Sequence, residues 1–168
     1  FIELGSTETE WNDRNAAGAV ARAVLDAISM DISDVIPMAG FGGTHYAQRQ
    51  TEISRLTRGG FGHIMPTRDI PHLDGEMFQK IISLSGAKAV YIDGKSMSGK
   101  EERMIAGLAG QKGVPVLGQG DLVQMKNLSF HDYMAIRSLA DSLVNGSSVV
   151  IHNLEIIDSP ASISIPGG

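Results

Sequence analysis

A glycine-rich segment that carries a histidine, a tyrosine and an arginine is the part of this sequence best suited to chemistry. Residues 40–49 read GFGGTHYAQR, and the Gly-His pair at residues 62–63 places His63 eighteen residues after His45. Glycines let backbone N–H groups approach a ligand closely and adopt positive φ at little steric cost. Histidine can transfer a proton or bind a metal, and arginine can bind an anion. The sequence therefore predicts an active-site loop, with His45 and Tyr46 as catalytic candidates.

Other residues of the same loop are predicted to bind substrate. Backbone N–H groups of Gly42, Gly43 and Thr44 can hold an oxygen on which negative charge develops. The planar fork of donors on Arg49 suits a phosphate or carboxylate clamp. Tyr46 can stack on a base or donate its hydroxyl to a reacting carbonyl, and packing in the core is an equal alternative.

Arginines are concentrated just after the loop. Residues 49–68 contain four arginines and one glutamate, a local charge of +3 within a chain of net charge −5. The overall negative charge disfavours nucleic acid, whose binding depends on neutralising phosphates. The local cluster instead indicates a small phosphate-binding patch, with solvated surface arginines as the alternative. Its members are Arg49, Arg55, Arg58 and Arg68.

Four polar residues outside the loop have a functional and a structural interpretation each. Glu3 interrupts an apolar run, so its carboxylate is a catalytic group, a metal ligand or a solvent-facing side chain. Ser6 and Thr7 can present hydroxyls to substrate or cap the following helix. His63 can take part in the chemistry or be a buried, hydrogen-bonded histidine.

The composition is that of an ordinary folded domain. The chain has 168 residues, of which 42% are hydrophobic and 20% charged, and this length predicts a single α/β domain over residues 1–168. No apolar run is long enough for a membrane span, so no membrane association is expected. The absence of cysteine excludes disulfides and thiolate zinc sites, which leaves histidine and carboxylate as zinc ligands.

Apolar periodicity predicts strands that alternate with helices. Strands are expected over residues 1–4, 35–38, 61–65, 87–92, 114–117 and 148–151. Helices are expected around residues 16–27, 74–85, 98–109 and 136–144. Such alternation implies crossovers and a largely parallel sheet covered on both faces. We therefore predict a three-layer α/β/α sandwich with a mostly parallel mixed sheet and a site at the carboxyl ends of its strands.

Three ordered blocks carry a family resemblance. Gly42, His45, Tyr46, Ala47 and Arg49 match the G-x-x-H-Y-A-P-R signature of the D-aminoacyl-tRNA deacylases of archaea and plants. The opening FIELGSTETEW is similar to that family's F-x-E-x-G-S-T-E-x-E-W block, and GHIMP at residues 62–66 resembles its G-H-I-I-P block. Gln48 stands where the family usually has proline. The family's chains are longer, so this chain is expected to be the C-terminal part of a longer protein.

The resemblance implies a fold similar to phosphorylases and peptidyl-tRNA hydrolases, and hydrolysis of the ester that joins a D-amino acid to tRNA. It further implies zinc, with His45, His63 and Glu3 as the candidate ligands. A cytoplasmic location, with which the absence of cysteine is compatible, and a monomer are also expected. A zinc-bound water, or His45 acting as base without a metal, can supply the attacking hydroxide. The alternatives are a peptidyl-tRNA hydrolase or nucleoside phosphorylase on the same fold, or an inactive RNA-binding module.

Overall fold

A computed structural model of the chain describes residues 4–5, 7–125 and 128–143. The chain divides into two compact units, residues 1–35 and 36–168. In the first unit, a short helix α1 (Glu8–Trp11) precedes the longer helix α2 (Arg14–Ser29), which confirms the helix predicted there. The Asp13 carboxylate caps α2 by accepting from the backbone N–H groups of Asn15 at 2.8 Å and Ala16 at 3.1 Å.

The second unit is built on a parallel sheet. Its strands are β1 (Ile36–Phe41), β2 (Gly59–Met65) and β3 (Ala89–Ile92), in the spatial order β2-β1-β3. Five helices accompany them in the described residues: α3 (Gln48–Leu56), α4 (Gly75–Ser85), α5 (Gly99–Gln111), α6 (Gln119–Met125) and α7 (Phe130–Leu143). Short 3-10 turns cover Thr67–His72 and Gly94–Ser96.

Side chains on the two faces of β1 belong to two separate hydrophobic clusters. Ile36 and Met38 pack with Ile53 of α3 and with residues of α6 and α7. Ala39 and Phe41 pack on the other face, with residues of α4 and α5. This alternation is the two-residue period of a strand buried on both sides. The α/β class and the three layers are therefore confirmed, and every strand pairing within the described residues is parallel rather than mixed.

The capping residues predicted from the sequence mark the observed ends of two helices. Asp74 caps α4 through its carboxylate, which accepts from the N–H of Met77 at 2.7 Å, and Gly86 ends that helix in the left-handed conformation. Ser98 and Glu101 form the predicted capping box of α5.

Other elements differ from the prediction. The strand expected over residues 114–117 forms only a single bridge, between Val116 and Val90, and helices α3 and α6 had not been predicted. The strands predicted over residues 1–4 and 148–151 lie largely or wholly outside the described residues. Across the residues that the structure describes, no helix is long and apolar enough to cross a membrane.

Helix α7 is tied to α6 by a buried tyrosine. The Tyr133 hydroxyl donates to Asp121 Oδ1 at 2.7 Å, and Arg137 Nη1 donates to the same oxygen at 3.1 Å. Burial and the hydrogen bond to the Asp121 carboxylate raise the pKa of Tyr133. Because folding favours the protonated phenol, its contribution to stability is complete below about pH 10 and is lost as the pH rises further.

We therefore expect Tyr133→Phe to lower the free energy of unfolding by about 1 kcal/mol at neutral pH, the size of one hydrogen bond. Above about pH 10 the stability of the variant should fall less steeply than that of the parent. Urea denaturation across a pH series measures both effects. Parallel pH profiles for the two proteins would contradict the role given to the hydrogen bond.

Candidate functional site

Three connections meet at the carboxyl edge of the sheet. Residues 42–47 follow β1, Pro66 and Thr67 follow β2, and residues 93–98 follow β3. The N–H of Gly42 donates to the carbonyl of Met65 at 2.8 Å, and the N–H of Thr67 donates to the carbonyl of Gly43 at 3.0 Å. The glycine loop and the segment after the Gly62-His63 pair therefore converge, at the position where ligands bind open parallel sheets.

The two central glycines of the loop are held from within the protein. The N–H of Gly43 is shared between Ser96 Oγ at 2.7 Å and Thr67 Oγ1 at 3.0 Å. The φ angles of Gly42 and Gly43 are +98° and +88°, which other residues rarely adopt. Since both N–H groups already have acceptors, these glycines shape the loop, and any backbone donors to an oxyanion must come from the residues that follow them.

The next three residues, Thr44, His45 and Tyr46, are all exposed. The Tyr46 side chain is 76% exposed, so the core-packing alternative for this residue is wrong. Its ring meets that of His45 edge to face, with centroids 5.5 Å apart. The turn closes where the N–H of Ala47 donates to the carbonyl of Thr44 at 3.0 Å. The loop thus presents an imidazole and a phenol side by side to solvent.

Arg49 lies in the first turn of α3, beside the loop. Its Nη1 is 3.2 Å from Glu52 Oε2, and both side chains are partly exposed. Arg49 also lines a cleft of about 430 Å³ that runs along the end of β3. Burial and the nearby Asp93 carboxylate raise the pKa of Tyr91, another residue of this cleft, so its hydroxyl stays protonated at neutral pH. The remaining lining residues are Ile92, Asp93, Gly94, Lys95, Glu102 and Gln119.

The four arginines of the predicted patch have different surroundings. Arg58 Nη1 donates to the carbonyl of Leu128 at 2.6 Å, which ties β2 to the segment before α7 and indicates a structural role. Arg68 pairs with Asp69 at 3.6 Å, and Arg55 is exposed at the last turn of α3. Of the four, Arg49 is the one that borders the cleft.

The predicted metal ligands are only partly described. His63 lies on β2 opposite Ala39 and is exposed, so it is not the buried histidine of the structural alternative. Glu3 lies outside the described residues, and the convergence of Glu3, His45 and His63 stays a prediction. In the described part of the chain, no three histidine, aspartate or glutamate side chains are placed to hold one metal ion.

The predicted hydroxyl donors near the start of the chain belong to the first unit. Thr7 caps α1, where its hydroxyl donates to the Glu10 carboxylate and its N–H donates to the same oxygen at 3.0 Å. Ser6 lies outside the described residues. The capping interpretation of Thr7 is therefore confirmed, and a direct contact between Ser6 or Thr7 and substrate stays a prediction.

Sequence reasoning missed four polar residues of this edge: Gln50, Thr67, Asp93 and Ser96. Gln50 is fully buried, and its Nε2 donates to the carbonyl of Gly42 at 2.9 Å. Thr67 and Ser96 hold the N–H of Gly43, and Ser96 Oγ also donates to the carbonyl of Asp93 at 2.8 Å. A signal for three of them was present, since Thr67, Asp93 and Ser96 all closely follow predicted strands. Gln50 had no such signal.

Comparison with known proteins identifies the family of this chain. A family model described as D-aminoacyl-tRNA deacylase matches residues 1–117. A D-aminoacyl-tRNA deacylase of Methanospirillum hungatei is 69% identical over 99% of this chain and 38% of its own length. One of Methanoculleus marisnigri is 40% identical over 100% of this chain and 38% of its own length.

Among solved structures, the crystal structure of a conserved protein of unknown function is similar. It has a TM-score of 0.62 and 42% sequence identity, over 71% of this chain and 42% of that one. The chain spans about two-fifths of the length of the curated relatives it matches. The family match includes both Gly-His segments and all three strands of the sheet. The chain belongs to the D-aminoacyl-tRNA deacylase family.

Proposed function

We propose that this chain is part of an enzyme that hydrolyses the ester bond of D-aminoacyl-tRNA and releases the free D-amino acid and tRNA. The observation that carries the proposal is the family match over residues 1–117, which contains the exposed His45-Tyr46 loop at the carboxyl edge of the sheet. Ester hydrolysis needs a base for the attacking water and donors for the oxygen on which charge develops. The loop offers both kinds of group.

In this proposal His45 takes a proton from the attacking water. Its ring is exposed beyond the strand ends, where the 3′ end of a tRNA can reach it. Within the described residues, the backbone N–H groups of Thr44 and Tyr46 donate no hydrogen bond. These two groups, unlike those of Gly42 and Gly43, are free to stabilise the tetrahedral intermediate as its oxygen becomes negative.

Zinc is not assigned a step in this mechanism. A catalytic zinc ion usually takes three protein ligands and leaves one position open. Among the described residues, no three histidine, aspartate or glutamate side chains are placed to hold one metal ion. Zinc therefore stays a prediction of the family resemblance, and the cytoplasmic location and monomeric state stay predictions with it.

Deacylation of matched D- and L-aminoacyl-tRNA by the intact protein tests the proposal. We expect release of the D-amino acid and much slower release of the L-amino acid. Equal rates on the two would contradict the assignment of the substrate. Turnover that requires inorganic phosphate would instead identify a phosphorylase on the same fold.

Arg49 is proposed to bind a phosphate of the tRNA, in competition with Glu52. Arg49→Lys is expected to weaken tRNA binding by about 1 to 3 kcal/mol, because lysine cannot donate through a bidentate fork. Glu52→Gln should strengthen binding, since it removes the competing carboxylate. Fluorescence anisotropy with labelled tRNA at fixed salt measures both changes.

Arg55→Lys is the matched control for this prediction. Arg55 lies on the same helix, away from the cleft, so the conservative change there should leave the affinity unchanged. Equal affinities for Arg49→Lys and the parent would show that Arg49 does not hold a phosphate.

A further inference from the structure

A small polar niche lies beside the Cα of Gly43, in the loop that carries His45. A Cβ built on Gly43 would lie 3.4 Å from Gln50 Oε1 and 3.7 Å from Asp93 Oδ2. Both oxygens therefore border one point, which is unfilled because residue 43 has no side chain, and Gln50 Nε2 lies 3.6 Å from the same point. Gln50 is fully buried, so water competes poorly for its oxygen, and Asp93, which is 8% exposed, also lines the cleft.

The Gln50 oxygen lacks a partner. Gln50 Nε2 donates to the carbonyl of Gly42 at 2.9 Å, which requires the amide nitrogen on that side and leaves Oε1 as the acceptor that borders the niche. Within the described residues, Gln50 Oε1 is the one buried side-chain polar atom without a hydrogen bond. A buried acceptor without a donor is costly, and each one in a native structure calls for an explanation.

The charge of the niche favours a cation. The described residues place no ion pair on the Asp93 carboxylate, although a carboxylate so deeply buried is normally paired. Both backbone polar groups of Asp93 are hydrogen-bonded. Its N–H donates to the carbonyl of Phe41 at 2.8 Å, and its carbonyl accepts from the Ser96 hydroxyl. These bonds fix the backbone that carries the carboxylate, and the described residues leave the carboxylate itself without an ion pair within 4.0 Å. A donor with several N–H groups and a positive charge would satisfy both oxygens.

We propose that this niche binds a primary ammonium group, and that in the working enzyme this is the α-ammonium of the aminoacyl part of the substrate. The identification of that ligand rests on the proposed function, because an aminoacyl ester carries such a group next to its reacting carbonyl. Gly43 precedes His45 by two residues in the same loop, so an ammonium bound beside Gly43 keeps the neighbouring ester close to that loop. Gln50 and Asp93 are then substrate-binding residues of this site.

Hydrolysis of free and N-acetylated substrate by the intact protein tests the proposal. We expect kcat/KM for D-aminoacyl-tRNA to exceed that for its N-acetyl derivative by about 10- to 100-fold, the ratio that a charge-assisted hydrogen bond supplies. Asp93→Asn should lower kcat/KM for the free amine by about 10-fold and leave that for the N-acetyl substrate unchanged.

Glu102→Gln is the matched control, because Glu102 lines the same cleft with the same charge and does not border the niche. Its ratio of free to N-acetyl substrate should equal that of the parent. Equal losses on both substrates in Asp93→Asn, or no preference for the free amine in the parent, would overturn the proposal.

A binding measurement tests the niche independently of hydrolysis. D-alaninamide, added to the intact protein, should shift the amide NMR resonance of Gly43, and N-acetyl-D-alaninamide should not. The shift should disappear in Asp93→Asn. In the parent it should fade as the pH rises through the pKa of the amine, about 8. An intact protein that leaves D-aminoacyl-tRNA uncleaved but shows this shift would refute the proposed function and support the niche.

The same resonance distinguishes an ammonium site from a general cation site. Neither Mg²⁺ nor Na⁺ at matched ionic strength should reproduce the shift, because the two acceptors are assigned to N–H donors. An equal shift with either metal ion, or none with D-alaninamide, would overturn the assignment.

Discussion

Replacement of His45 with alanine is expected to lower the turnover of D-aminoacyl-tRNA by about 10²-fold or more, the scale of a lost general base. The thermal stability should stay near that of the parent, because the imidazole lies exposed on the loop and packs in no core cluster. Single-turnover deacylation and a thermal melt of the intact protein measure the two effects. Retained turnover would remove His45 from the chemistry and leave the signature a binding or structural role.

His63→Ala separates the two ways in which His45 can act. If the two histidines share a zinc ion, the His63 variant should lose bound metal as well as turnover, since loss of one ligand weakens the whole site. If His45 acts as a base alone, metal content and turnover should both be unchanged. Stability should change little in either case, because His63 is exposed. Metal analysis of the purified variant beside its turnover distinguishes the two outcomes.

Gly42→Ala is expected to destabilise the protein by about 3 kcal/mol, through a steric clash and backbone strain together. A Cβ at this position would lie 2.7 Å from both Met97 Cε and Ser96 Oγ and 3.1 Å from the carbonyl oxygen of Asp93. The Met97 methyl can move, but the Asp93 carbonyl is part of the backbone. The φ of +98° adds strain for any residue with a side chain. Urea denaturation measures the loss.

Gly86→Ala is the control for the strain alone. Gly86 has a φ of +56°, and nothing lies within 4 Å of a Cβ built there. Its replacement should cost about 1 kcal/mol, from the left-handed conformation at the end of α4. A loss at Gly42 no greater than that at Gly86 would show that the loop moves aside and is not held by the connection after β3.

Short-range signals predicted the parts of the fold that depend on neighbours in sequence. The caps of α4 at Asp74 and Gly86 and the capping box of α5 at Ser98 involve residues within one turn of the helix. The strands that carry the two Gly-His segments were predicted from short apolar runs bounded by turn residues. The family resemblance likewise rested on contiguous blocks, and the family match over residues 1–117 confirms it.

Helix α3 was not predicted from the sequence, and the reason is physical. Its residues QRQTEISRL are mostly polar, and the helix buries only Gln50 and Ile53. A polar helix has little apolar periodicity, so its position depends on packing against the sheet and on the turn that ends at Ala47. The segment at residues 114–117 shows the opposite case. It is apolar and was predicted as a strand, but in the structure it forms only one bridge, between Val116 and Val90.

The sequence by itself determined the α/β class and the glycine loop, and it supplied His45, Tyr46 and Arg49 as the candidates for chemistry, because residue type and local spacing carry that information. Only the tertiary structure decided which backbone N–H groups are hydrogen-bonded within the protein and which polar side chains lie beside the loop. The Gly43 N–H, which the sequence predicted as a donor to an oxyanion, instead donates to the hydroxyls of Thr67 and Ser96. These residues lie 24 and 53 positions away in the sequence. Gln50 of α3 and Asp93, which follows β3, both approach Gly43, because parallel strands bring the connections after β1 and β3 to one edge of the sheet. Such contacts between distant segments leave no periodic trace in the sequence, since they depend on sheet order and register.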